Sequence, residues 1–209
     1  MKKCSKQLVW LIATLGMVGC GSILSPQSQR QIKTYEIVDN SLHDDNIPSC
    51  IPPKDNAILY VSPVRASVPY ETYKMYYTAE SYSLNNYAYS QWIVPAGELI
   101  HQNIIKKLVL SCSFKNVVTS TAIANANYRL VTNLVSIRQE INPANNTANA
   151  HVILSTELID LEKNTIVATF VFDEKQPTDV GPTGYVTGVS QLITKYDDQL
   201  VNWLQQNAK

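Results

Sequence analysis

Tyr128-Arg-Leu-Val-Thr-Asn-Leu-Val-Ser-Ile137 alternates around Leu130 and Leu134, the two-residue period of a strand with one buried face. Two later segments repeat the pattern. Ala150, Val152, Leu154 and Leu158 share one face of the next, and Ile166, Ala168, Phe170 and Phe172 share one face of the third. Asp160-Leu-Glu-Lys-Asn164 has the composition of a hairpin turn, and residues 142–149 that of a surface loop joining antiparallel strands. Three such strands in a row leave an apolar sheet face that other elements must cover.

Two helical segments supply the cover. Over residues 91–110 the period changes, and Trp92, Ala96, Leu99, Ile100, Ile104 and Leu108 fall on one stripe, with Pro95 in the first turn, where its missing N–H costs nothing. Residues 182–206 form the second helix, with Val189, Leu192, Ile193, Tyr196, Leu200 and Trp203 as its buried face. Gly184 and Gly188 have the spacing that lets membrane helices approach, but at the start of a water-facing helix they fit a turn and close packing on the sheet. Ala57-Ile-Leu-Tyr-Val61 reads as a buried strand ending at Pro63, and residues 73–85 as one or two strands rich in Tyr and Thr. Residues 114–118 read as a return strand, and Tyr35-Glu-Ile-Val38 as the first. Residues 39–56, broken by Pro48, Pro52 and Pro53, are a loop. The expected class is α+β: a single domain over residues 35–206, with an antiparallel or mixed sheet covered by two amphipathic helices.

The chain of 209 residues is 45% hydrophobic and 16% charged, which excludes a disordered acidic or basic polymer. It begins Met-Lys-Lys-Cys-Ser-Lys, followed by an apolar run over residues 8–18 and then Gly19-Cys20. Lysines before a short apolar run are the pattern of a secretory leader, and the run is too short for a stable bilayer anchor. Met17-Val18-Gly19-Cys20 resembles the bacterial lipobox, an aliphatic residue and two small ones before the cysteine that is acylated. Residues 1–19 are therefore expected to be removed, leaving lipidated Cys20 at the N-terminus and residues 20–34 as a Ser/Gln-rich tether. The alternative is an ordinary cleavable leader in which Cys20 is incidental. Loss of Lys2, Lys3 and Lys6 would leave 14 Lys and Arg against 17 acids, no basic surface for nucleic acid. Only 7 glycines, three of them at the leader's end, argue against a phosphate-cradling loop. Gly21 and Ser22, in place of an aspartate after Cys20, imply sorting to the outer membrane, facing the periplasm.

Candidate chemistry is sparse. His43, His101 and His151 match no metal-ligand spacing, and His43 with Asp44 and Asp45 reads as a solvated loop. His101 is expected on the exposed face of the first helix and His151 on the solvent face of a strand. No G-x-S-x-G elbow or His-Glu-x-x-His is present. Asp173-Glu174 and Asp197-Asp198 are neighbours that cannot face each other across a cleft, and read as solvated surface. No catalytic residue, metal or cofactor is expected. Cys50 and Cys112 remain after processing, an even pair in an oxidising compartment. They are either a disulfide closing a loop of about sixty residues, worth ~4 kcal/mol in the chain-entropy model, or two free thiols with Cys112 buried. Tyr70, Tyr73, Tyr76, Tyr77, Tyr82, Tyr87 and Tyr89 concentrate seven of the chain's 12 tyrosines. Tyrosine suits both interfaces and half-exposed strands.

The order of several pieces resembles the ABC-type transport auxiliary lipoprotein family, whose best-known members are PqiC-like. The pieces are Ile58-Leu-Tyr-Val-Ser-Pro-Val64, Tyr73-Lys-Met-Tyr-Tyr77, Trp92 with Pro95, Phe114-Lys-Asn-Val117, Ala126-Asn-Tyr-Arg-Leu130 and the closing amphipathic helix. The likeness spans nearly the whole mature chain. Two departures are a long segment carrying Cys50 before the first strand, and the absence of arginines common before Trp92 in relatives. The resemblance implies a non-catalytic accessory subunit of an MCE/MlaE-type intermembrane lipid transporter, anchored in the outer membrane through Cys20 and assembled as a homo-oligomeric ring. Its implied partners are an MCE-domain protein and that protein's inner-membrane components. Tyr73, Tyr76, Tyr77 and Trp92 are then the candidate interface. Two other readings are a monomeric lipid carrier, which needs an apolar cavity, and a secreted hydrolase, disfavoured for want of a nucleophile–base pair.

Overall fold

The long alternating segments form a meander of β7 (Tyr128–Asn142), β8 (Thr147–Asp160) and β9 (Thr165–Thr178), seen in a computed structural model that describes residues 31–39, 41, 56–120 and 126–208. Both turns end on an asparagine in the left-handed region, Asn146 at φ 53° and Asn164 at φ 52°, a conformation asparagine tolerates. Strand β8 resumes at Thr147, so the first connection is shorter than the loop expected over residues 142–149.

Two bulges decide which side chains reach the core. Leu134 pairs with Leu154 but Ser136 with Ile153, so Val135 is an extra residue. Beyond it the parity of β7 inverts, and Leu134 and Ile137 are both buried although they are an odd number of positions apart. In β9, Ala168 pairs with Leu158 but Ile166 with Ile159. Ile166, expected on the face of Ala168, Phe170 and Phe172, is thereby turned outward and 57% exposed.

The other edge of β7 is shared by three short strands, all parallel to it. β2 (Ile58–Val61) pairs beside Tyr128 to Leu130, β3 (Arg65–Ala66) beside Asn133 and Leu134, and β4 (Lys74–Thr78) beside Gln139 and Glu140. β6 (Asn116–Val118) runs parallel to β2. β5 (Asn85–Trp92) runs antiparallel to β4, and β1 (Lys33–Tyr35) parallel to β5. The described residues thus form a mixed sheet of nine strands with two helices, the expected α+β class. Strand β1 starts at Lys33, inside the expected tether, and residues 36–39 leave the sheet instead of forming the first strand.

Helix α1 (Ala96–Ser111) begins later than its apolar stripe suggests. The residue before a proline is held out of the helical region. The chain therefore stays extended through Trp92, the last residue of β5, and Pro95 caps the helix at φ −50°, ψ 139°. Cys112 ends it in the left-handed region, its N–H on the Val109 carbonyl. Helix α2 (Pro182–Asn207) opens with its proline at the first helical position and Gly181 at φ 114° before it. At Gly188 a Cβ would lie 2.8 Å from the Ala150 Cβ and 2.3 Å from Thr178 Cγ2, so only glycine lets α2 settle on the sheet. Both helices contribute to one core, where Leu99, Ile100, Ile104 and Leu108 of α1 and Tyr185, Val189, Leu192, Ile193, Tyr196, Leu200 and Leu204 of α2 join the inner faces of the strands. Trp203 is only partly buried, stacked on Phe170 with centroids 5.8 Å apart. The Tyr196 hydroxyl lies 2.7 Å from Thr156 Oγ1 and 3.4 Å from Thr132 Oγ1, so it enters the core with partners.

Candidate functional site

On the face of the meander away from the helices, the Val135 bulge aligns Ser136, Arg138 and Glu140 beside His151, Asp173 and Lys175. His151 lies between two carboxylates, with Nδ1 2.9 Å from Glu140 Oε1 and Nε2 2.7 Å from Asp173 Oδ1. Arg138 donates to Glu140 at 2.7 Å and to Ser136 Oγ at 2.7 Å, and Lys175 donates to Glu140 Oε2 at 2.5 Å. Ser136 Oγ in turn donates to the Tyr70 hydroxyl at 3.2 Å. Burial alone would raise the Glu140 pKa, but hydrogen bonds from Lys175, His151 and Arg138 outweigh it and hold the carboxyl at about 2. His151 is buried here, not solvent-facing as expected. The network clamps β7, β8 and β9 together by charge.

A second cluster fastens the segment after β1 to the helices. Val38 N–H donates to Ser190 Oγ, Asn103 Nδ2 donates to the Ile37 carbonyl, and Asp39 N–H donates to Asn103 Oδ1. Ser41 donates to Asp39 Oδ1 from both N–H and hydroxyl, and Lys107 Nζ donates to Ser41 Oγ at 2.7 Å. Lys107 also pairs with Asp198 at 2.5 Å and lies 3.7 Å from Asp39 Oδ2. Beneath them, Asp197 is fully buried, and neither carboxyl oxygen has a hydrogen-bond partner among the described residues. Burial, and then the nearby Asp39, push its pKa well above the usual carboxylate range, so the fold favours its protonated form. The reading of Asp197 as solvated surface is wrong. The signal was present, because Ile193, Asp197, Leu200 and Leu204 step along one helical stripe. Glu174 pairs with Lys195 across to α2. His101, expected exposed, is half-buried, and burial lowers its pKa.

The tyrosine-rich segment divides by face. Trp92 is fully buried against Tyr185 with centroids 5.6 Å apart, and Tyr76 is buried edge-on to Tyr70, so neither reaches the surface of this chain. Those two leave the candidate interface. Tyr77 is half-buried beside Tyr87, at 4.7 Å, while Tyr73 is exposed. The Tyr87 hydroxyl donates to the Gln139 amide oxygen, and burial, then the nearby Tyr77, push its pKa up to about 12. Tyr82, in the turn between β4 and β5, is 108% exposed at φ 64°.

Cys20, Cys50, His43, Asp44 and Asp45 lie outside the described residues. The Cys112 sulfur is in a disulfide. Among the described residues no group of three His, Cys, Asp or Glu is placed to hold a metal ion, and no helix is long and apolar enough to cross a membrane. A cleft of about 660 Å³ at the start of α2 is lined by Gln176, Thr178, Asp179, Thr183, Thr187 and Gln191 among others, and one of about 350 Å³ along the fastened segment by Glu36, Gln102, Asn103 and Lys106 among others. Both linings mix these polar groups with apolar ones, Pro177, Val180 and Pro182 in the first and Ile37, Val38 and Leu99 in the second.

No family model and no curated protein matches the sequence. Among solved structures, the chain is similar to XCC0632 of Xanthomonas campestris, described as DUF330, with a TM-score of 0.68 at 16% identity over 75% of this chain and 88% of that one. An uncharacterized protein matches with a TM-score of 0.62 at 10% identity over 83% of this chain and 99% of the other. The hypothetical protein CT253 of Chlamydia trachomatis matches at 0.52 and 10% over 73% and 97%. At such identities the likeness is one of fold, and at that coarse level it agrees with the resemblance drawn from the sequence.

Proposed function

We propose that this chain is a lipid-anchored envelope protein of the outer membrane that serves, without catalysis, as an accessory subunit of an MCE/MlaE-type lipid transporter in the periplasm. The observation that carries the reading is the lipobox-like Met17-Val18-Gly19-Cys20 closing a secretory leader, on a chain whose domain shares its fold with the DUF330 protein. A disulfide at Cys112 supports an oxidising compartment, and Cys50 is its partner in this reading. The exposed Tyr73 and half-buried Tyr77 are the contact residues that remain for a second copy or an MCE partner.

Metabolic labelling with palmitate tests the anchor. Label on the native protein that disappears in Cys20→Ala is expected, and label that persists overturns it. Co-purification from detergent-solubilised membranes tests the role: recovery of an MCE-domain protein is expected, and recovery of this chain alone removes the transporter assignment. Non-reducing peptide mapping should return Cys50 and Cys112 in one linked fragment. Two separate thiol peptides would end that pairing.

A further inference from the structure

Strands β4 and β5 join through residues 79–84, Ala-Glu-Ser-Tyr-Ser-Leu. The turn is built around one carbonyl: Ser83 N–H, Ser83 Oγ and Thr78 Oγ1 all donate to the Glu80 oxygen, at 3.3, 3.0 and 2.9 Å. Tyr82 is the third residue of this turn and has φ 64°. A positive φ there is the type II pattern, a position where glycine or asparagine sits without strain and a bulky side chain does not. The ring that bears the strain is fully exposed, so no packing within the fold repays it. Leu84, two residues on, is 41% exposed on the same loop.

The sheet register places this turn. Strand β1 runs parallel to β5, with Lys33 beside Ser90 and Tyr35 beside Trp92. Strand β1 therefore runs in the same direction as β5, away from the Asn85 end that carries the turn. The β7–β8 turn and the passage from β9 into α2 lie at that end too, because Thr78 of β4 pairs with Glu140 near the close of β7 and Thr178 of β9 pairs with Ala148. Residues 79–84, 142–147 and 178–184, which lie at this end, hold no Lys or Arg and only two acids, Glu80 and Asp179. The opposite end carries Lys163 and Glu162 in the β8–β9 turn.

We propose that the Tyr82 turn is a membrane-contacting tip, seated at the headgroup–acyl boundary of the bilayer that holds Cys20, and that it fixes which end of the domain faces that bilayer. The proposal rests on the acylated-Cys20 reading and adds an orientation to it. A tyrosine with an apolar ring and a wet hydroxyl, beside a leucine, suits that boundary. The absence of basic residues fits zwitterionic headgroups, bound without dependence on salt, better than an anionic surface. Thirteen residues, Cys20 to Ile32, span at most about 45 Å, enough slack for the tip to reach the surface from the anchor.

The test uses the mature lipoprotein in vesicles of phosphatidylcholine and phosphatidylethanolamine with brominated acyl chains. Tryptophan replaces Tyr82, Leu84 or, at the far end of the sheet, exposed Ile166, and the parent's Trp92 and Trp203 signal is subtracted. Expected are a shift to shorter wavelength and bromine quenching at positions 82 and 84, unchanged in high salt, and neither effect at 166. Protein that floats with the vesicles while positions 82 and 84 stay unquenched overturns the tip and leaves the anchor standing. Quenching at 166 equal to that at 82 overturns the orientation. Protein that does not float overturns the anchor, and the tip falls with it.

Discussion

The meander β7–β9 and the patchwork β1–β6 are held by different means. The three long strands pair antiparallel over 14 residue pairs between β7 and β8, each joined to the next by a short turn. The patchwork strands are two to eight residues long, and most pair in parallel with elements far away in sequence. Local antiparallel pairing needs little loop closure, whereas each parallel pairing must first order the chain between its strands. The patchwork therefore depends on packing, and Trp92 and Tyr185 are where it meets α2.

The largest test of that contrast is Trp92→Ala, which should cost roughly 3–5 kcal/mol in urea unfolding through loss of a fully buried indole. A cost below about 1 kcal/mol would mean the patchwork is not packed through that residue. Next is acid stability of the meander. The Glu140 pKa falls from an unfolded value near 4.3 to about 2 in the fold. Its contribution is thus present above about pH 4.3 and is lost as pH drops toward 2. Glu140→Gln should remove about 1–2 kcal/mol at neutral pH, discounted for partial exposure, and flatten the thermal melting profile across that acid window.

Asp197, under the segment fastened to α1 and α2, has the opposite sign. Its folded pKa is raised, so its protonated form is favoured by the fold. Stability from that proton is complete below the unfolded value of about 3.9 and drains away as pH rises through the folded pKa. Asp197→Asn should therefore melt higher than the parent at alkaline pH and show a smaller decline from acid to base. A parallel pair of profiles would contradict the raised pKa. Smallest is Tyr82→Gly, which relieves the positive φ and removes no packing. A gain of about 0.5–1 kcal/mol is expected, and a loss would show that the exposed ring holds the turn.

The same contrast explains what could be read from residues alone. Alternation around Leu130, Leu154 and Phe172 and the stripe from Val189 to Leu200 are local periodicities, and they led directly to an α+β fold with two covering helices. A bulge leaves no mark in composition, so Ile166 and the parity beyond Val135 were hidden. The stripe through Trp92 was an accident of spacing that Pro95 interrupts. The Glu140–His151–Asp173 network depends on register across three strands, which no single segment contains. Asp197 was legible but outvoted: its place on the apolar stripe was visible, and its charge made a solvated reading easier.

The fastening of residues 36–41 matters once the domain is under tension. A pull on Lys33 along the axis of β1 would shear the bonds between β1 and β5 together and not peel them one after another. Behind that short strand the load meets Ser190, Asn103 and Lys107 on two separate helices. Force applied at Lys33 is thus shared among a strand and both helices before it can reach the meander.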